Sequence, residues 1–124
     1  MNVLVADDQP DCAYMLARLL EQMGCDSFVA HSGVEAIELA AKNRPQAILL
    51  DIHLPDMDGY ELARRLRIEL GLNAARIIAL SGGPIDPEKM AKNGIDHAIL
   101  KPIGVEQFMR LLGSNGTPTK ACVL

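Results

Sequence analysis

Tryptophan is absent from this chain of 124 residues, and Tyr14, Phe28, Tyr60 and Phe108 are its only Tyr or Phe side chains. An apolar share of 49% must therefore be built mainly from Leu, Ile, Val, Ala and Met, so the expected core is aliphatic. Basic residues are also few: 12 Lys and Arg against 16 Asp and Glu give a net charge of −4, which argues against a nucleic-acid-binding surface. Any DNA-contacting module would lie elsewhere. No stretch approaches the ~20 apolar residues of a membrane span, and "MNVLVADD" meets acids too soon for a signal-peptide core. A cytoplasmic protein with no membrane partner is the expectation. Cys12, Cys25 and Cys122 share no metal-ligand spacing and leave an odd count, so they read as incidental thiols in a reducing compartment. His31, His53 and His97 are scattered and form no zinc pattern.

What the chain does contain is alternation. Five β-like runs, "VLVA" (3–6), "DSFVA" (26–30), "AILLD" (47–51), "RIIAL" (76–80) and "HAIL" (97–100), are separated by segments of helical period. The runs at 3, 47 and 76 are almost continuously apolar, as expected of strands buried on both faces of a parallel sheet. Leu16, Leu19, Leu20 and Met23 share one face of a first helix. A capping box from Ser32 to Glu35 opens a second, which is expected to bury Ile37, Ala40 and Ala41. The third sets Leu62, Leu66 and Leu70 against Arg64, Arg65 and Arg67, which read as a solvated face. Asp86 as N-cap and Pro87 in the first turn start a short fourth helix ending at Gly94. A fifth spans about 105–112, burying Phe108, Leu111 and Leu112. Residues 1–112 make one domain, and the Gly/Ser/Thr/Pro-rich 113–124 reads as a flexible tail.

Five βα units in strict alternation mean a parallel sheet with helices on both faces, and ligands of such sheets bind at the carboxyl ends of the strands. That edge gathers Asp7 and Asp8 after the first strand, Asp51 at the end of the third, Ser81 after the fourth and Lys101 after the fifth. The second strand delivers nothing comparable, as an edge position would explain. Each residue has a plainer alternative, with Asp8 as a helix cap, Ser81 in a turn and Lys101 as a surface charge. Together they converge. Two carboxylates about 4 Å apart repel by roughly 4 kcal/mol at a protein rim. Three acids against one lysine leave two negative charges, which one divalent cation would neutralise. Oxygen ligands with an open remainder suit Mg²⁺. Mg²⁺, Lys101 and the Ser81 hydroxyl would then surround a tetrahedral anion attached to Asp51, the expected nucleophile of a phosphoryl transfer. Asp51 is expected to emerge at the rim rather than lie in the core, and Asp56 and Asp58 to shape the following turn with solvent-facing side chains.

The motifs "VLVADDQP", "ILLDIHLPDMDGYEL", "IIALSG" and "AILKPI", in this order and over about residues 2–112, resemble the response-regulator receiver domains of two-component signalling. The resemblance implies a flavodoxin-like (βα)5 fold, class α/β, with a five-stranded parallel sheet in the order 2-1-3-4-5. It implies that Asp51 accepts a phosphoryl group from a phosphohistidine on a sensor histidine kinase or histidine phosphotransfer protein. It further implies Mg²⁺ bound by Asp8, Asp51 and the backbone carbonyl of His53, with Asp7 acting through water. Lys101 would contact the phosphoryl oxygens, its bond to Pro102 would be cis, and Ser81 would swing inward, with Gly82 leaving space. His53 and Gly83 would tune the phosphoryl lifetime.

Two departures qualify the likeness. Ala98 stands where the family usually has Tyr or Phe, and the stretch from Ser81 to Lys101 is about two residues short, with Gly82, Gly83, Pro84 and Pro87 in it. The fourth helix is therefore expected to be stunted, and output to run through reordering of its loop to an output partner the sequence does not name. Beside a free-standing receiver, the sequence leaves open the receiver segment of a hybrid sensor kinase, to which "DHAILKPI" leans. A metal-dependent phosphohydrolase and a non-phosphorylated pseudo-receiver are the rivals of another class. A receiver would catalyse only its own phosphorylation and dephosphorylation.

Overall fold

The computed structural model describes residues 1–101 and Arg110. The expected fifth helix, the Lys101–Pro102 peptide bond and the tail 113–124 lie outside the described residues. Along the described chain β1 (Asn2–Ala6), α1 (Pro10–Gln22), β2 (Asp26–Ala30), α2 (Gly33–Asn43), β3 (Ala47–Asp51), α3 (Gly59–Ile68), β4 (Arg76–Ser81), α4 (Pro87–Lys92) and β5 (His97–Leu100) alternate. Each strand lies within one residue of its expected bounds. All neighbouring strands pair in parallel, in the order β2-β1-β3-β4-β5, which puts β2 at an edge.

The continuous apolar runs follow from two-sided burial. Val3, Val5, Leu49, Ile78, Leu80 and Ile99 pack with Ala13, Leu16 and Leu20 of α1. The alternate residues Leu4, Ala6, Ile48, Leu50, Ile77 and Ala79 pack with Ala36 and Ala40 of α2 and Leu62, Ala63 and Leu66 of α3. A side chain on a central strand leaves water whichever way it points, gaining about 1.5–3 kcal/mol for a Val, Leu or Ile.

Local chemistry places the helix ends. Ser32 Oγ accepts from the Glu35 N–H at 3.1 Å, and Glu35 Oε1 accepts from the His31 N–H at 2.9 Å, so the box closes one residue outside the cap. Asp86 Oδ1 accepts from the N–H groups of Glu88 and Lys89. α4 is stunted as expected: six residues, none buried, ended near Gly94 at φ +78°. Ala41, expected in the core, is exposed, because the face of α2 that meets the sheet runs through Gly33, Ala36 and Ala40 and Ala41 lies to its flank.

Arg67 departs further from expectation. Its guanidinium donates to the carbonyls of Leu72, Ala75 and Gly94 and to Asp96 Oδ2, and its side chain is only 13% exposed. Carbonyls of the α3–β4 and α4–β5 loops have no ladder partner here, and the five donors of one guanidinium supply it. Arg64 and Arg65 do lie at the surface, both paired with Glu61, whose pKa their hydrogen bonds lower to about 2. Cys12 is a free thiol and Cys25 lies buried in the core as a small apolar side chain, while Cys122 is outside the described residues.

Candidate functional site

β1 and β3 are neighbours in the sheet, yet the connections that leave them run to opposite sides, and this opens a cleft at their carboxyl ends. Asp7 extends β1 by one rung, its N–H donating to Ala30 O at 3.0 Å. Asp8, the next residue, is exposed and caps no helix, since the N-cap of α1 is Gln9. Asp51 closes β3 and Ser81 closes β4. Lys101 follows β5, where its N–H donates to Ser81 O at 2.7 Å and fixes the lysine backbone against β4.

The depth of these acids differs from expectation. Asp7 is 0% and Asp51 5% exposed, so Asp51 is a buried carboxylate and not one that emerges into solvent. Flanking strands that run as far as β3 does shut water from both sides. The compensation is local and symmetrical. Lys101 Nζ donates to Asp51 Oδ2 at 2.8 Å and to Asp7 Oδ2 at 3.2 Å. The other oxygens take backbone donors two residues on: the His53 N–H meets Asp51 Oδ1, and the Gln9 N–H meets Asp7 Oδ1, both at 2.9 Å. Gln9 also offers Oε1 to Lys101 Nζ at 3.2 Å, a third acceptor that sequence reasoning missed, because a Gln beside an acid pair carries no signature.

Burial works against the charge on Lys101, but its hydrogen bond to Asp51 and the fields of Asp7 and Asp51 outweigh it, and its pKa lies above the ordinary lysine value. Burial, with a hydrogen bond to Asp7, pushes the Cys12 thiol up to about 11. One carboxylate oxygen each of Asp7, Asp8 and Asp51 lies within 4.8 Å of the others. Three acids against the single ammonium of Lys101 leave two charges uncompensated, so donor type and charge both fit a hard divalent cation. Ser81 is buried, and its Oγ is turned toward its own loop, donating to Gly83 O at 2.9 Å. A Cβ at Gly82 or Gly83 would meet nothing within 4 Å, so the two positions after Ser81 are open.

In the loop after Asp51, Asp56 and Asp58 are exposed as expected, and both do more than shape the turn. Asp58 caps α3, accepting from the Glu61 N–H at 2.8 Å. Asp56 is no bland turn residue: its Oδ1 and Oδ2 accept from the N–H groups of Gly33 and Val34 at 2.7 and 2.9 Å, and these bonds lower its pKa. The donor N–H groups are more than twenty residues from Asp56, beyond the reach of local pattern. Ala98 is exposed on β5. An aromatic does touch the β4–α4 segment from the other side, where Tyr60 Oη accepts from the Asp86 N–H at 3.3 Å and Lys89 Nζ lies 4.8 Å from the ring centre.

Comparison with known proteins agrees with this geometry. The family model described as the response regulator receiver domain matches residues 3–112. The chain is 32% identical over 114 residues to the sensor histidine kinase RcsC of Escherichia coli, a match covering 90% of this chain and 12% of that protein. It is 30% identical over 115 residues to the polar-differentiation response regulator DivK of Brucella anthropi, covering 91% and 94%. Among solved structures, the chemotaxis protein CheY4 of Vibrio cholerae superposes with a TM-score of 0.83 at 26% identity, covering 90% of this chain and 94% of that one. The receiver domain of the sensor histidine kinase PA1611 of Pseudomonas aeruginosa, solved with a magnesium ion in its active-site cleft, gives 0.80 at 25% identity, covering 91% and 94%.

Proposed function

The chain belongs to the response regulator receiver domains, the phosphoacceptor modules of two-component signalling, and from that premise we propose that Asp51 is the residue phosphorylated. The observation that carries the reading is the 2.8 Å contact between Lys101 Nζ and the buried Asp51, fifty residues apart in sequence. An ionised carboxylate needs no base. Its oxygen attacks the phosphorus of a phosphohistidine, the O–P bond forms as the P–N bond breaks, and the departing imidazole takes up a proton on the donor protein.

The chain's own groups supply position and charge. Lys101 already gives its three hydrogens to Asp51, Asp7 and Gln9, and it would keep Asp51 oriented while the hydrogen now given to Gln9 turns to the phosphoryl oxygens. Ser81 Oγ would exchange its bond to Gly83 O for one to the phosphoryl group. Asp8, Asp51 and the His53 carbonyl would hold Mg²⁺, with Asp7 acting through water; when bound, the cation offsets charge developing on the transferred group. The donor is a sensor histidine kinase or a histidine phosphotransfer protein. The likeness to RcsC supports a second context, a receiver segment of a hybrid kinase, with the same chemistry at Asp51.

The test is incubation with acetyl phosphate and Mg²⁺, beside an Asp51→Asn control. An acid-stable, base-labile adduct that the variant lacks is the expected result. Steady phosphate release with no adduct would point to a phosphohydrolase, and the absence of both to a partner-binding pseudo-receiver.

A further inference from the structure

The β3–α3 loop, residues 52–58, carries His53 directly away from Asp51. Within itself the loop is closed by the Gly59 N–H donating to Ile52 O at 2.7 Å and by the antiparallel pairing of His53 with Asp58. A Cβ at Gly59 would stand 2.8 Å from both Asp51 O and Ile52 Cα, so α3 starts hard against the peptide of the phosphoacceptor. These contacts give the loop a shape. They do not attach its outer limb to the rest of the molecule.

Leu54 sinks into the core beneath the loop, and Asp56 adds the polar attachment. Its two oxygens straddle the first turn of α2, each taking a separate backbone N–H, Gly33 at 2.7 Å and Val34 at 2.9 Å. No residue of α2's own cap takes over those two donors in these contacts, because Ser32 Oγ serves Glu35 and the Glu35 carboxylate serves His31. The positive end of an 11-residue helix thus meets a carboxylate brought from another segment. Next to Asp56, the Met57 side chain fills the place a side chain at Gly33 would need: a Cβ there would come within 2.5–2.7 Å of it. Polar and apolar contacts therefore fasten the same limb at the same point.

We propose that Asp56 is a positioning residue for the divalent-cation site: anchored on α2, it holds the 52–58 loop so that the His53 carbonyl stays aimed at the cation. The inference rests on the reading of Asp8, Asp51 and the His53 carbonyl as ligands. Asp56 touches no ligand atom; it acts through the loop.

The test is a Mg²⁺ titration of the full, isotopically labelled chain followed through the amide resonances of Asp8 and His53, with no phosphoryl donor present. Asp56→Ala should raise the half-saturating Mg²⁺ concentration about tenfold, the lower end of what loss of an outer-shell partner costs. Asp56→Asn keeps one acceptor oxygen and should raise it only about two- to threefold. Ser32→Ala removes a cap from the same helix without touching the loop, and should lower thermal stability while leaving the Mg²⁺ midpoint in place. An unchanged midpoint in both Asp56 variants, or an equal shift in Ser32→Ala, overturns the positioning role and leaves the ligand reading intact. A wild-type spectrum insensitive to Mg²⁺ overturns both. Should Asp56→Ala not fold, Asp56→Asn against Ser32→Ala decides the matter.

Discussion

Replacing Asp51 by Asn removes one partner of a buried ion pair, a change that ordinarily destabilises by about 3–5 kcal/mol because a charge is left uncompensated. Here the loss should be far smaller. At an effective dielectric of about 20, the Lys101 attraction across 2.8 Å is worth about 6 kcal/mol. Against it, Asp7 lies within 4.8 Å and repels Asp51 by about 3.5 kcal/mol, and the exposed Asp8, nearer the bulk-water limit, adds about 1 kcal/mol. The difference is about 1.5 kcal/mol, and the Asn oxygen retains one hydrogen bond worth about 1 kcal/mol. Lys101 is not stranded, since Asp7 and Gln9 still accept from it. Without metal the variant should therefore melt within about 5 °C of the wild type. With Mg²⁺ at a hundred times its Kd, the wild type should gain about 2.7 kcal/mol, and the variant much less. Thermal unfolding followed by circular dichroism, with and without Mg²⁺, reads both effects. A metal-free variant melting more than ~10 °C below the wild type, or equal Mg²⁺ stabilisation of both proteins, would refute the claim that the acids are mutually strained until a cation joins them.

Two other perturbations probe independent parts of the structure. Arg67→Ala should cost about 2–4 kcal/mol in urea unfolding, with Arg67→Lys recovering little of it, because one ammonium cannot serve acceptors on two loops; a loss under ~0.5 kcal/mol would contradict the network. The Cys12 thiol, raised from 9.0 to about 11, holds roughly a hundredfold less thiolate than an ordinary cysteine at any pH below 9. Its alkylation, followed peptide by peptide by mass spectrometry, should stay slow at pH 8 and accelerate only as pH approaches 11, whereas Asp7→Asn should make it faster at pH 8. Fast alkylation of wild-type Cys12 at pH 8 would show that the thiol is not buried beside Asp7.

The order of elements was legible because burial on both faces writes itself into sequence as unbroken apolar runs, and because Ser32, Asp86 and Pro87 act on neighbours within four residues. The gathering of Asp7, Asp8, Asp51, Ser81 and Lys101 was legible for another reason: in a parallel βα sheet every strand ends on the same edge. Three features were not. Arg67 reads as a surface charge until the loops ending at Leu72, Ala75 and Gly94 are folded around it. Gln9 gains meaning only once Lys101, more than ninety residues away, reaches it. Asp56 sits in a turn signature whose local reading is complete without α2.

The sequence by itself determined which residues reach the carboxyl edge and with what charge, since alternation, strand direction and ionisable type are properties of local chain. Only the tertiary structure decided how deep Asp7 and Asp51 lie, that one ammonium holds both, and that the loop leaving Asp51 is fastened to α2 through Asp56. Burial and hydrogen-bond partnership depend on what distant segments bring to the same place. No window of sequence contains both ends of those contacts.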